Sequence, residues 1–222
     1  MHKISVVNLS KNKVDECDNF ALNLSTAISQ TKKKVLFITT DFAPKYLNEF
    51  EITDSTVIRT KVIPPFVLYR VNDNLPLLLL VQPNQKNQIK STTDRANAMV
   101  KQIKVFKDNY DCLLVCLNNK WTDIDSCFAS IPNDSCVYYL NASDADTTSF
   151  INLKISQKSF FILDQYVGDN KTHMTAYAQL TKILKNNEMI VLPNNNSNTY
   201  YQAKEPKSHN AVQLLSLSKK IY

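Results

Sequence analysis

The sequence predicts an α/β fold in three layers: a mainly parallel, twisted sheet with helices packed on both of its faces. Two observations carry that prediction. Short runs of Val, Ile, Leu and Phe recur along the chain, apolar at every position rather than at alternate ones, which suits strands covered on both sides. Between several of these runs lie stretches with the period of amphipathic helices. Strands alternating with helices imply βαβ crossovers and hence parallel pairing.

The strand runs are ISVVNL (4–9), KVLFIT (34–39), FVLYRV (66–71), LPLLLLV (75–81), CLLVCL (112–117), CVYYLN (136–141), FFILD (160–164) and MIVLP (189–193). The first helix is read in DNFALNLSTAISQ, with Asp18 as its N-cap and Phe20, Leu24, Ala27 and Ile28 along one apolar stripe. DRANAMVKQIKVFK (94–107), TAYAQLTKILK (175–185) and NAVQLLSLSKKI (210–221) repeat the helical pattern. No repeat of fixed period occurs, and the only low-complexity stretch is PNNNSNTYYQ (193–202), so one domain over 1–222 is expected. The exchange from first strand to first helix, residues 9–18, falls at the carboxyl edge of the first strand, where such sheets bind ligands.

With 222 residues, 44% of them apolar, the chain can bury a substantial core. Its longest apolar run, Leu75 to Val81, is far short of the ~20 residues that span a bilayer, and no leader segment is read at the N-terminus. The expectation is a cytoplasmic protein without a membrane span. The five cysteines (Cys17, Cys112, Cys116, Cys127, Cys136) form no CxxC pair and read as free, mostly buried thiols of a reducing compartment. Cys112 and Cys116 share one strand face, about 13 Å apart when extended, too far for one metal ion. His2, His173 and His209 are scattered in polar surroundings, so no metal site is expected. The net charge of +6 is mild. Lysines cluster at Lys32–Lys34, along Lys101, Lys104 and Lys107, and at Lys204, Lys207, Lys219 and Lys220. Solvated helix ends explain these clusters, and weak, salt-sensitive binding to nucleic acid is the functional alternative.

The single glycine, Gly168, is the oddest feature of the composition against a usual ~7%. Glycine permits positive φ and close approach of backbone to phosphate, so this chain has almost no means of building a glycine-dependent phosphate cradle.

Several segments, in order, resemble the ParA/MinD family of partition and positioning ATPases. KISVVNLSK resembles the family's first strand. FALNLSTAISQTKKKVLFITTD, with Asn23–Leu24, resembles its first helix and second strand. LPLLLLVQPNQ resembles a mid-chain strand, NYDCLLVCLNN the Walker B strand, and TYYQAKEPKSHNAVQLLSLSKKI the closing segment. The resemblance runs from about residue 3 to 221 and implies a P-loop NTPase-like fold.

It also implies where a nucleotide site should lie, and there the chain departs from the family. The P-loop position reads SKNKVDECDN: Lys11 and Lys13 remain, but there is no Gly-Lys-Thr, and Asp15, Glu16 and Asp18 bring negative charge to the place of a triphosphate. A carboxylate that close to phosphate costs on the order of a few kcal/mol. The Asp-x-Asp ending the second strand is Thr39-x-Asp41. The Walker B carboxylate position is Cys116, and the adenine-reading Asn position is Asp164. Phosphoryl transfer rests on positioning and charge neutralisation by these parts together. The resemblance therefore implies a vestigial nucleotide site at Lys11, Lys13, Asp15, Asp18, Thr39, Asp41, Cys116 and Asp164, without catalysis or cofactor.

The expected role is that of a pseudo-ATPase serving partition, polar localisation, or a secretion, pilus or cellulose-synthase assembly. Its partner would be a second copy or a ParA/MinD-like paralogue, giving a homodimer or heteromer. One alternative is a nonspecific DNA-binding partition protein, with Arg95, Lys101, Lys104, Lys204, Lys207, Lys219 and Lys220 as contacts. Another is an enzyme with an altered site near Cys116, Asp41, Asp164 and Asp111, although no base accompanies Cys116 at a readable spacing.

Overall fold

A computed structural model describes residues 1–10, 12–39, 54–58, 66–70, 77–81, 109–117, 133–144, 158–184, 187–194 and 209–221. In chain order its elements are β1 (His2–Asn8), α1 (Val14–Gln30), β2 (Val35–Thr39), β3 (Asp54–Ile58), β4 (Phe66–Arg70), β5 (Leu77–Val81), β6 (Cys112–Leu117), β7 (Ser135–Asn141), a 3-10 turn (Ala142–Asp144), β8 (Ser159–Tyr166), α2 (Lys171–Leu184), β9 (Met189–Pro193) and α3 (His209–Ile221).

The strands form one sheet of nine in the order β3-β4-β5-β2-β6-β1-β7-β8-β9. From β5 to β9 every pairing is parallel, while β3 and β4 add an antiparallel edge. That edge was not read in the sequence. DSTVI (54–58) is too polar to stand out as an apolar run, and FVLYRV looks the same whichever way its neighbour points. The other strands lie within about two residues of their expected places.

β1 sits at the centre, between β6 and β7. Ile4 and Val6 point to one face, where α1 and α3 cover them with Phe20, Leu24, Ala27, Ile28, Leu214 and Leu217. On the other face Cys136, Tyr138, Leu140, Phe161 and Leu163 pack under Leu180 and Leu184 of α2. Helices on both faces give the expected three layers. The helix expected at 94–107 lies outside the described residues.

α1 departs from expectation in two ways. It starts at Val14, so Asp18 lies inside it rather than capping it, and the Lys13 side chain makes no cap hydrogen bond. It is also buried on nearly every side from Cys17 to Ile28, polar residues included. Three of those polar side chains turn back on their own helix. Asn23 Nδ2 donates to the Asn19 carbonyl at 2.7 Å, and the Ser25 and Thr26 hydroxyls donate to the Leu22 carbonyl. The helix stops at Thr31 and Lys32. Their N–H groups reach the carbonyls of Ile28 and Ser29, each at 3.0 Å, with Lys32 at φ 65°. Such a left-handed position usually holds glycine; here a lysine bears the strain. Among the described residues, no helix is long and apolar enough to cross a membrane.

Lys3, on β1, is only 4% exposed, and its backbone N–H donates to Asp134 Oδ2 at 2.7 Å. Burial lowers its ammonium pKa to about 8 from 10.5, against the opposing pull of Cys136 and Asp134. Between about pH 8 and 10.5 the unfolded chain therefore holds a proton that the native chain has released, and this term stabilises the fold increasingly as pH rises. The buried thiols of Cys17, Cys116 and Cys136 act in the opposite sense. The difference in unfolding free energy between the natural chain and Lys3→Met isolates the lysine. Urea titrations should find that difference flat below pH 8 and rising in favour of the natural chain above it; a flat difference throughout contradicts the burial effect.

Candidate functional site at the first strand-to-helix turn

Leu9 to Lys13 join β1 to α1 at the carboxyl edge of the central strand. The backbone N–H groups of Leu9, Ser10 and Asn12 are all bonded to acceptors of the protein itself. Leu9 N–H donates to the Tyr139 carbonyl at 2.9 Å. Ser10 N–H donates to Asn8 Oδ1 at 2.9 Å, an Asx turn that closes the chain on itself without a glycine. Asn12 N–H donates to Asp144 Oδ2 at 2.7 Å. Side chains tie the turn down further. The amide of Asn8 reaches the Lys13 carbonyl at 3.4 Å, and the Asn141 N–H donates to Ser10 Oγ at 2.8 Å. Asn141 Oδ1 in turn accepts from Ser143 N–H at 3.0 Å, which links the turn to the end of β7.

The start of α1 carries its own anions. Asp15 and Glu16 stand in its first turn, where negative charge complements the helix dipole. Lys13 pairs with Glu16, Nζ to Oε1, at 3.1 Å. One turn on, Asp18 is fully buried and its Oδ1 accepts from Thr39 Oγ1, at the end of β2, at 2.6 Å. Beside it the thiols of Cys17 and Cys116 meet at 3.7 Å. Burial pushes the Cys17 thiol up, with its hydrogen bond to Cys116 partly offsetting this, and pushes Cys116 up further still. On the other side of β1, Asp164 is fully buried at the end of β8, accepting from Tyr139 OH at 2.7 Å and from Gln165 N–H at 2.8 Å. Gln165 itself has φ 57°, at the irregularity between Leu163 and Tyr166 that takes β8 out of register.

Lys13 precedes α1, Asp15 and Asp18 lie in its first turns, Thr39 ends β2, Cys116 is near the end of β6 and Asp164 near the end of β8. Lys11 and Asp41 lie outside the described residues, as do Arg95, Lys101, Lys104, Lys204 and Lys207. Lys219 and Lys220 are exposed on the last turn of α3, and Lys220 pairs with Glu188. Sequence reading missed Asn8, Ser10, Asn141 and Asp144; the polar triads NLS (8–10) and NAS (141–143) at the ends of two apolar runs were the available signal. It also missed Cys17 as the neighbour of Cys116. His173, expected in polar surroundings, is 6% exposed and its Nδ1 accepts from Val167 N–H at 3.0 Å, closing the turn that contains Gly168.

No family model and no curated protein matches the chain. Solved structures do. MinD of Pyrococcus horikoshii with Mg-ADP aligns over 100% of this chain and 96% of its own at 13% identity, TM-score 0.61. The Aquifex aeolicus MinC:MinD complex aligns over 97% and 86% at 18% identity, TM-score 0.56. The chain has the fold of the MinD and ParA ATPases. A third MinD/ParA-fold structure, pNOB8 ParA bound to nonspecific DNA, aligns over 100% and 97% at 10% identity, TM-score 0.53.

The carboxylates of Asp15 and Glu16 stand beside this turn, and the N–H groups of Leu9, Ser10 and Asn12 are hydrogen-bonded within the protein. The buried Asp18–Thr39 bond joins α1 to β2. Thr39→Val removes the donor while keeping the shape, leaving a carboxylate acceptor without its hydroxyl in a dry site. Urea denaturation should register a loss of about 1–3 kcal/mol for Thr39→Val and a much smaller loss for Thr39→Ser. Equal losses in the two variants would mean that packing, not the hydrogen bond, matters there.

Proposed function

We propose that this chain is a MinD/ParA-fold protein without a working nucleotide site, a pseudo-ATPase that serves as an interaction or positioning module. One observation carries the reading: the N–H groups of Leu9, Ser10 and Asn12 are spent on Tyr139, Asn8 and Asp144. A phosphate loop works by aiming successive free N–H groups at the ligand, with a lysine to neutralise it. In this chain these three donors close the turn, Lys13 is engaged by Glu16, and Asp15 adds negative charge in the first turn of α1. Catalysis has as little support, because Cys116 is a buried thiol in contact with another thiol rather than a carboxylate facing a metal ion. Among the described residues no three metal-ligating side chains converge.

The partner we favour is a protein, either a second copy or a paralogue with the same fold. The MinD in complex with MinC is a precedent for partnership in this fold. Calorimetric titration with Mg-ATP tests the proposal. We expect no binding tighter than about 1 mM, because that affinity needs about 4 kcal/mol of specific contacts. Micromolar binding overturns it.

Nonspecific DNA binding is a second reading, favoured by the likeness to DNA-bound pNOB8 ParA and by the net charge of +6. If it holds, retention on duplex DNA should fall steeply between 50 and 200 mM salt and fall further in Lys219→Gln. Retention that is absent at low salt, or indifferent to salt, rejects it.

A further inference from the structure

Cys17 and Cys116 are 99 residues apart in sequence, on different elements, and fully buried, yet their sulfurs lie 3.7 Å from one another. Two thiols at that separation need a shift of under about 2 Å to reach the ~2.05 Å of a disulfide bond. Cys112 and Cys136 are also buried and outside any disulfide. Among the described residues no three metal-ligating side chains converge.

We propose that Cys17 and Cys116 are an oxidation site: a peroxide converts them into a disulfide that staples the start of α1 to β6. The route is set by burial and size. Both sulfurs are fully buried, so the oxidant must be nearly as small as water and enter during local opening, which hydrogen peroxide satisfies. One sulfur, as thiolate, attacks the peroxide oxygen; the O–O bond breaks, sulfur keeps OH as a sulfenic acid, and the departing hydroxide takes a proton to become water. The second thiol then attacks the sulfenic sulfur, forming the S–S bond and releasing a second water. Two thiols lose two electrons and one peroxide becomes two waters. Cys17 is the attacking sulfur and Cys116 the resolving one, because burial raises the Cys116 thiol further and Cys17 lies nearer the positive end of its helix.

The bond would close a loop of about 100 residues and hold the helix that carries Asp15, Glu16 and Asp18 against the central sheet. The slow step is opening of α1, so oxidation should be slow in buffer and faster in mild urea, opposite to what an exposed thiol pair would do.

The test is to treat the folded chain with hydrogen peroxide, quench, denature, alkylate and digest without reductant. We expect the intact mass to fall by about 2 Da, two fewer alkylated thiols than the five of the reduced chain, and a cross-linked peptide pair containing Cys17 and Cys116. The melting temperature should rise by about 5–15 °C and return on adding dithiothreitol. Cys17→Ser and Cys116→Ala should each abolish the cross-link. The peptide map of the natural chain stands even if a variant folds poorly. A cross-link that maps to other cysteines, oxygen adducts without loss of thiol pairs, or five alkylated thiols after oxidation each overturns the proposal. A Cys17–Cys116 bond with no rise in melting temperature overturns the staple.

Discussion

Every N–H that turns out of β1 needs an acceptor, and with one glycine in 222 residues the chain cannot meet that need by adopting the positive-φ conformations of a phosphate cradle. It uses side chains instead. Asn8 closes the turn on itself, Asp144 reaches across from the end of β7, and Ser10 answers the N–H of Asn141. A side chain does the same at the start of α2, where Asn170 Oδ1 accepts from Thr172 N–H at 2.9 Å. Lys32, at the end of α1, instead takes a left-handed position itself. Among the described residues, closure of the first turn leaves the N–H groups of Leu9, Ser10 and Asn12 hydrogen-bonded within the protein. What the turn presents outward is then set by Asp15, Glu16 and Lys13.

Closure also changes what lies beneath the turn. Because α1 begins at Val14, its next turn dips into the core and carries Cys17 and Asp18 with it. A buried carboxylate is tolerable only with hydrogen bonds, and the Thr39 hydroxyl supplies one at 2.6 Å. On β6 the sulfur of Cys116 meets the sulfur of Cys17. Thr39 and Cys116 each have a partner on α1, Asp18 and Cys17. These four side chains form one buried set joining α1 to β2 and β6.

Much of this was legible in the sequence, for identifiable reasons. Runs such as CLLVCL, apolar at every position, can only be strands covered on both faces, and their alternation with helical stripes gave the layers and the parallel core. The strand at Asp54–Ile58 was not legible, because DSTVI is too polar to stand out as an apolar run. Asp18 misled because Asp before an apolar stripe is the usual mark of a helix start; the tertiary bond to Thr39, 21 residues away, overrode that local preference. The acids of the first turn could be read directly, whereas the closure by Asp144 could not, since it depends on where the end of β7 falls in space. Cys17 beside Cys116 was illegible for the same reason.

The account depends on the donors of the first turn being occupied before any ligand arrives. Amide hydrogen exchange at Leu9, Ser10 and Asn12, followed with and without Mg-ATP, reads that state directly. The account predicts that Leu9 and Ser10 are protected in the ligand-free chain, that Asn12 exchanges slower than in an Asp144→Ala variant, and that saturating Mg-ATP leaves all three rates unchanged. Fast exchange in the ligand-free chain that slows on adding Mg-ATP would contradict it, because those N–H groups would then be waiting for phosphate.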